Sequence, residues 1–289
     1  MTTDTPSPFH LGERTAQRLA GLSTPPMAPI RAFMPDQHRA FFELLPYVLI
    51  AARDERGWPV PTMLAGLPGF ISSPDPTTLR VTTTDPHDPV RALLKPGAAF
   101  GLLGIDLSNR RRNRANGRVA AADDQTLTLA IEQSFGNCPK YINLRDATWH
   151  EAVAPAPSES FVGLDREARA LIGCADTFFI ASGSENGLDM SHRGGAPGFV
   201  RIEGESLVVP DYRGNRFFNT FGNLVLDSRA SLLFVDFERG DTTVVRGRVE
   251  IDWAAGPALP DAERVWRLKV EDGWRRRGAL PLRWRERAA

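Results

Sequence analysis

The chain repeats itself once, and that duplication limits its architecture more than any other feature. "GLPGF" at Gly66 to Phe70 returns as "GAPGF" at Gly195 to Phe199, 129 positions later. Ile50-Ala51 returns as Ile180-Ala181. "LLGID" ending at Asp106 returns as "LLFVD" ending at Asp236, and "GRV" at Gly117 to Val119 returns at Gly247 to Val249, both 130 positions on. Four matches in one order at a near-constant offset indicate a duplicated domain, because solenoid repeats run only about 20–50 residues. A length of 289 residues accommodates two such units, each with its own core.

The two copies carry the same pattern. Each opens on a short amphipathic helix, Asp36 to Leu45 in the first and Asp165 to Cys174 in the second. In the second helix Ala168, Leu171, Ile172 and Ala175 recur at helical spacing, with Asp165 as N-cap. β-branched and aromatic runs then predict strands at Tyr47–Ala52, Phe70–Ser72, Thr78–Thr83 and Phe100–Leu103. Their counterparts are Thr177–Ser182, Gly198–Glu203, Ser206–Val209, Ser231–Phe237 and Thr242–Ile251. One helical insert, Gly214 to Asp227, carries Phe217, Phe218, Phe221 and Leu224 along one side. Short strands, Gly and Pro between them and few helices predict a mainly β fold, a small barrel in each half with flanking helices. The expected division is an N-terminal arm at 1–30, a first copy at 31–150 and a second at 160–289, joined by a linker at Val153–Glu159.

Charge narrows the function. The 35 basic and 35 acidic residues cancel, which argues against a chain built to coat nucleic acid or an anionic membrane. Only Lys95, Lys140 and Lys269 are lysines; the other basic residues are arginine. Cys138 and Cys174 are too few for a disulfide framework or a multi-cysteine metal site. The opening residues lack the order of a signal peptide, and no apolar run approaches the roughly 18 residues of a membrane span. The expectation is a soluble cytoplasmic protein.

Chemistry concentrates where the third strand of the second copy runs into "PDYRGNRFFNTFGNL", Pro210 to Leu224. A strand that ends in a Gly-containing turn and opens a helix presents unpaired N–H groups and a positive dipole end. Arg213 and Arg216 flank the turn, and Asn215 and Asn219 add neutral donors, a set suited to phosphate. On local sequence alone, a capped helix with solvated arginines is the simpler reading. The matching place in the first copy, "TTTDPHDPVRALLKPG", has acidic residues and no Gly turn, so only the second copy is expected to hold phosphate.

From Asp189 to Ile251 the sequence resembles the flavin-binding split barrel of the pyridoxamine 5′-phosphate oxidase-like superfamily, particularly its flavin-nucleotide-binding branch, where a PDYxGN turn precedes an Asn-rich helix. "RRRNRANG" (Arg110 to Gly117) and "QSFGNCPKYINLR" (Gln133 to Arg145) extend the resemblance into the first copy. It implies two tandem split barrels packed as an intramolecular pseudo-dimer, with FMN in the cleft between them. It also implies phosphate contacts at Asp211, Tyr212, Arg213, Gly214 and Asn215, with Asn219 beside them on the helix. Ser191, His192 and Arg193 would line the flavin edge, and Gln133 and Ser134 would cover the ring from the first copy. The expected activity is that of an FMN-dependent oxidoreductase on a small substrate or electron donor, with one flavin per chain. Pairing of pseudo-dimers into a homodimer stays open. The chain ends "GWRRRGALPLRW" without the arginine- and histidine-bearing substrate motif of the oxidase that names the superfamily, which puts pyridoxamine phosphate oxidation in doubt.

Other features have plainer readings. "RRRNR" at Arg110 to Arg114 and the basic stretch Arg264 to Arg287 raise nucleic-acid binding, but the first has no interleaved aromatics; a structural or flavin-facing arginine cluster and a final strand and tail with amphipathic arginines are the preferred readings. Cys138 is read as a structural thiol and Cys174 as core. His10, His38, His87, His150 and His192 show no metal-ligand spacing, so no metal is expected. No general base can be named. A carrier or protective protein for flavin, deazaflavin or haem, with no turnover of its own, is the alternative from another class.

Overall fold

The computed structural model describes residues 7–82, 85, 88–150, 157–254 and 261–287. Most of the expected linker, Val153 to Ala156, and His87 lie outside them. In the first half a helix α1 (Leu11–Leu19) precedes α2 (Asp36–Glu43), then β1 (Tyr47–Arg53), β2 (Pro59–Ala65), β3 (Ile71–Asp75), β4 (Thr78–Thr82), β5 (Ala99–Asp106), β6 (Arg111–Ala122), β7 (Thr126–Gly136) and β8 (Arg145–Trp149). The second half runs β9 (Glu159–Val162), α3 (Arg166–Cys174), β10 (Thr177–Ser184), β11 (Gly187–Gly194), β12 (Arg201–Glu203), β13 (Ser206–Tyr212), α4 (Asn219–Leu226), β14 (Arg229–Asp236), β15 (Asp241–Asp252), β16 (Ala262–Arg276) and β17 (Leu282–Glu286).

The sheet of the first half has the order β2-β1-β5-β6-β7-β4-β3, and the second repeats it as β11-β10-β14-β15-β16-β13-β12. The matched "GRV" strings sit at matched irregularities: β6 bulges at Asn116/Gly117 and β15 at Arg246/Gly247. A Cβ at Gly117 would lie 1.9 Å from the Ala130 carbonyl oxygen, and one at Gly247 would lie 2.0 Å from that of Lys269. Only glycine lets the neighbouring strand close on each bulge, which bends the sheet toward a barrel.

Strand alternation then builds three cores. Val48, Ile50 and Ala52 of β1 point into the first barrel, while Tyr47, Leu49 and Ala51 point into a seam between the halves. In β10, Phe178 and Ile180 fill the second barrel and Phe179 and Ala181 enter the same seam. Leu103 and Ile105 of β5 and Leu233 and Val235 of β14 complete it. Both faces of these strands are buried, so they read as continuous apolar runs rather than alternating ones. β8 and β17 cross-pair as a two-stranded ribbon that ties the halves together.

Several strands are absent from the sequence reading. β2 begins "PVP", but it is an edge strand, where a missing N–H costs no ladder bond. β6, "RRNRANGRVAAA", has poor strand formers and is held by β5 and β7 on either side. The basic C-terminal stretch is two strands, β16 and β17, rather than one strand and a tail. Cys174, expected in the core, is exposed, because α3 buries Ala168 and Ile172 on its other face. Asp165 does cap α3, accepting from the Ala168 N–H at 2.8 Å. No helix among the described residues is long and apolar enough to cross a membrane.

Part of the stretch expected as an arm is the ordered helix α1. It lies against α4 so closely that a Cβ on Gly12 would meet the Gly222 carbonyl oxygen at 2.1 Å. Its Glu13 is buried, accepts from the His10 N–H at 2.9 Å and accepts from the Asn219 amide. Burial pushes the Glu13 carboxyl up to about 7 from its ordinary 4.5. A folded-state value above the unfolded one means that folding takes up a proton, so stability is lost as pH rises toward and through 7. His10, shifted down by burial, opposes docking only when the pH falls. Between pH 6.5 and 8 the docking of α1 is therefore expected to weaken by roughly 1 kcal/mol. Hydrogen exchange of residues 11–20, corrected for intrinsic rates, measures this; Glu13→Gln should flatten the profile. Equal protection of the wild-type helix at both pH values would contradict it.

Candidate functional site

A cavity of about 110 Å³ opens where the two halves meet. The first half contributes Arg112 and Arg114 of β6 and the Asn137–Tyr141 loop after β7. The second contributes the end of β11, the end of β13, the turn after it and the start of α4. Alternation puts Arg112 and Arg114 on one face of β6, toward the seam, and puts His192 on the same row of β11 as the seam residue Met190.

The turn and helix differ from the expected geometry. The helix begins at Asn219 rather than at the Gly214 turn, and its cap residue Phe218 has left-handed backbone (φ 62°) and no side-chain capping bond. Thr220 and Phe221, in its first turn, line the cavity. The unpaired N–H groups of that first turn and its positive dipole end therefore lie at the cavity wall. Tyr141, Arg216 and Phe218 are three of the five non-glycine residues with positive φ among the described residues, and all three line the cavity. Such backbone persists only where the surroundings over-determine it, and it clusters at ligand sites.

Hydrogen bonds divide the cations into committed and uncommitted groups. Arg114 is fully committed: Nε donates to the Met190 carbonyl at 3.1 Å and lies 3.2 Å from Asp189, Nη1 donates to Asn219 at 2.8 Å, and Nη2 donates to Ser191. Arg264 is committed to Asp211 at 2.6 Å and Glu263 at 3.1 Å. By contrast Arg112 Nε, Arg193 Nε, Arg216 Nε, Asn137 Nδ2 and His192 Nε2 are buried without a hydrogen-bond partner, although Arg216 Nη2 donates to Glu263 at 2.9 Å and Arg193 Nη1 to the His192 carbonyl at 3.1 Å; all five residues line this cavity. Burial first, then the charges of Arg114 and Arg193, push the Arg112 guanidinium down to about 9, still protonated at neutral pH. Arg193 is likewise lowered by burial, and its guanidinium lies 5.9 Å from the Phe221 ring centre. At the rim the Tyr141 and Tyr212 rings stack with centres 5.2 Å apart, and the Tyr141 hydroxyl donates to the Arg213 carbonyl at 3.1 Å.

Seven of the residues expected from sequence line the cavity: His192, Arg193, Asp211, Tyr212, Gly214, Asn215 and Asn219. Ser191 lies behind the wall, bonded to Arg114, Asp189 and Thr220. Arg213 turns outward with its side chain 68% exposed, beside Glu263. Gln133 and Ser134 are not lining residues; Ser134 is buried on β7, where it bonds His38 at 2.9 Å and pairs through its backbone with Arg31. The first half reaches the cavity through Arg112, Asn137, Lys140 and Tyr141 instead. Those residues fall inside the two segments that resemble the superfamily, but only the register of β6 against β5 and β7 shows which of them face inward.

The pseudo-symmetric place is closed. The register puts Thr242 and Val244 where the first half has Arg112 and Arg114, and Met63 and Leu64 where the second has His192 and Arg193. Met63 and Val244 pack into the seam core. Arg276 replaces Asn137 and is paired with Asp88 at 3.1 Å and Asp85 at 2.5 Å, while the Thr62 hydroxyl donates to Asp88. Carboxylates of the chain itself thus neutralise the cation in that place.

No family model matches the sequence, and no curated protein does. Among solved structures the chain is similar to HupZ of Group A Streptococcus, at 16% identity and a TM-score of 0.30, covering 37% of this chain and 89% of that one. It is also similar to HutZ, a heme storage protein of Vibrio cholerae (12%, 0.28, 38% and 92%), and to an FAD binding protein of Mycobacterium smegmatis (12%, 0.29, 41% and 97%). The two halves repeat one mainly antiparallel β fold, a small barrel carried twice. Each sheet has the same seven-strand path, and the two barrels share the seam as the sequence resemblance implied.

Asp211 gives this site a pH response. Burial raises its carboxyl to about 6 against the opposing pull of Arg193 and Arg264. Protonation removes a negative charge from the cavity wall, so an anion binds better as the pH falls through 6. Sulfate, whose charge is constant in this range, is expected to bind about three- to tenfold more tightly at pH 5.5 than at 7.5, by isothermal calorimetry. Asp211→Asn should bind it tightly at both values. A sulfate affinity of the wild type that ignores pH would contradict the assignment.

Proposed function

We propose that the seam cavity holds the phosphorylated tail of FMN and that the protein is an FMN-dependent oxidoreductase acting on a small molecule. One observation supports this above the others: five buried N–H donors without a hydrogen-bond partner, three of them on arginines, belong to residues that line a single cavity. An unpaired buried donor costs about 1–3 kcal/mol, more when charged, so the set calls for an anionic, oxygen-rich ligand. The first turn of α4 adds its dipole. The donors are of the right chemistry for a phosphate ester, and the cavity volume suits a tail rather than a whole cofactor. Arg112, Arg193, Arg216 and Lys140 would hold the tail, and the rings of Phe199, Tyr212 and Tyr141 line the same cavity.

When bound, FMN supplies hydride or single-electron transfer. The residues of this chain bind, orient and exclude water. Asp211 and Glu263 are tied to arginines, and the redox step would fall to the cofactor. That same lining supports a second reading, a carrier that holds flavin without turnover.

The purified chain is expected to bind one FMN, with visible bands perturbed from those of the free cofactor, and to bind riboflavin about a hundredfold more weakly because charge-assisted bonds to the phosphate are lost. Two equivalents per chain, or equal affinity for riboflavin, would overturn the assignment of the tail to this cavity. Anaerobic bleaching of the bound flavin by a nicotinamide donor supports the oxidoreductase; a flavin that stays oxidised supports the carrier.

A further inference from the structure

His192 is 3% exposed on β11, with its ring edge-on to Phe179 at 5.7 Å. Its Nδ1 lies 2.9 Å from Arg112 Nη1. A guanidinium carries only N–H donors, so Nδ1 has to accept, and the proton of a neutral imidazole then sits on Nε2. Burial, followed by the charges of Arg112, Arg193 and Arg145, holds the ring well below its ordinary 6.5, so it stays neutral. Nε2 is buried and has no partner in the protein. The ring thus has its lone pair occupied by Arg112 and its one N–H buried and unsatisfied, in a residue that lines the cavity.

We infer that Arg112 locks His192 as the Nε2–H tautomer and that this N–H binds an acceptor atom of the ligand, a carbonyl oxygen, a ring nitrogen or a phosphate oxygen, instead of a metal ion. The inference rests on the FMN reading for the identity of the ligand, but the tautomer belongs to the protein alone. It narrows the ligands the cavity takes. Haem held through His192 needs a bare Nε2, which would leave the proton on Nδ1, facing the N–H of Arg112; two donors cannot share that bond. A flavin presents acceptors at its pyrimidine edge and on its phosphate, and each of them fits the donor. Arg112 is accordingly a positioning residue that acts through the imidazole as well as a wall of the cavity.

The test uses the full-length chain with ¹⁵N-labelled histidine, with and without FMN. Two-bond nitrogen–proton correlations of His192 should show the proton on Nε2 from pH 5.5 to 8, and Arg112→Met should let the Nδ1–H form appear. FMN affinity, read by quenching of flavin fluorescence, should fall about tenfold in His192→Phe, which keeps an aromatic ring at the position, and recover to within about threefold in His192→Gln, which restores a donor. Riboflavin titrated in parallel places the acceptor: a matching loss puts it on the ring, and a loss for FMN alone puts it on the phosphate, both consistent with a donor at Nε2. An Nδ1–H tautomer in the wild type would overturn the inference. So would unchanged FMN affinity in His192→Phe, or a histidine-ligated hemin spectrum that this variant abolishes. Should the wild type bind no FMN at all, the flavin reading fails, while the tautomer measured in the free chain still decides the role of His192.

Discussion

The burial of β1, β5, β10 and β14 on both faces is the constraint on which the rest of this molecule depends. A strand buried on one side completes a barrel; a strand buried on both also fixes what lies against the barrel. Tyr47, Leu49 and Ala51 from one half meet Phe179, Ala181 and Leu233 from the other in a single apolar layer, closed at its edge by Trp284 and Leu282 of the cross-paired ribbon. Close approach at Gly101, where a Cβ would lie 2.8 Å from the Asp189 backbone, shows how little separation the seam allows. With the two barrels fixed in this way, β6 of one half and β11 of the other stand opposite each other, and a polar cavity can be assembled from side chains that are far apart in sequence.

Duplication within one chain frees the two ends of this seam from matching. A symmetric dimer must keep two equal sites, whereas here each end has its own chemistry. At one end Arg112, Arg193 and His192 stand with unsatisfied N–H groups around a cavity. At the other, threonine, leucine and methionine replace them, and Arg276 is neutralised by Asp85 and Asp88. At the Arg276 end the chain's own carboxylates meet the cation; at the cavity Asp211 and Glu263 pair Arg264 and Arg216, yet five N–H groups stay unpaired. Polar groups buried without partners are costly, and five of them belong to residues around this one cavity.

Much of the architecture was legible from the repeat. The strings that recur are places where a side chain cannot fit: Gly117 and Gly247 at the bulges, and Gly66 and Gly195, whose Cβ atoms would strike the rings of Phe70 and Phe199. Local chemistry fixed Asp165 as a cap. The reading failed where tertiary context overrides local preference. An Arg- and Asn-rich run forms β6 because its neighbours offer ladder bonds on both sides. The expected arm holds a helix because Gly12 and Gly222 let two backbones touch. At the candidate site, seven of the expected second-copy residues line one cavity, but Arg213 points outward and Ser191 supports the wall from behind. Gln133 and Ser134 are not among the lining residues, and Ser134 on β7 is bonded to Arg31 and His38 instead. No local signal separates Arg112, which faces the seam, from Arg110 and Arg111 beside it; pairing with β5 does.

A crystal structure of the full-length chain grown with FMN tests the central claim most directly. The account places the phosphate density at the junction of the halves, within hydrogen-bonding distance of Arg112 or Arg193 and the first turn of α4, with no second FMN beside Arg276. Phosphate density on one barrel alone, away from the seam, or a cavity filled by side chains while FMN binds elsewhere, would contradict it.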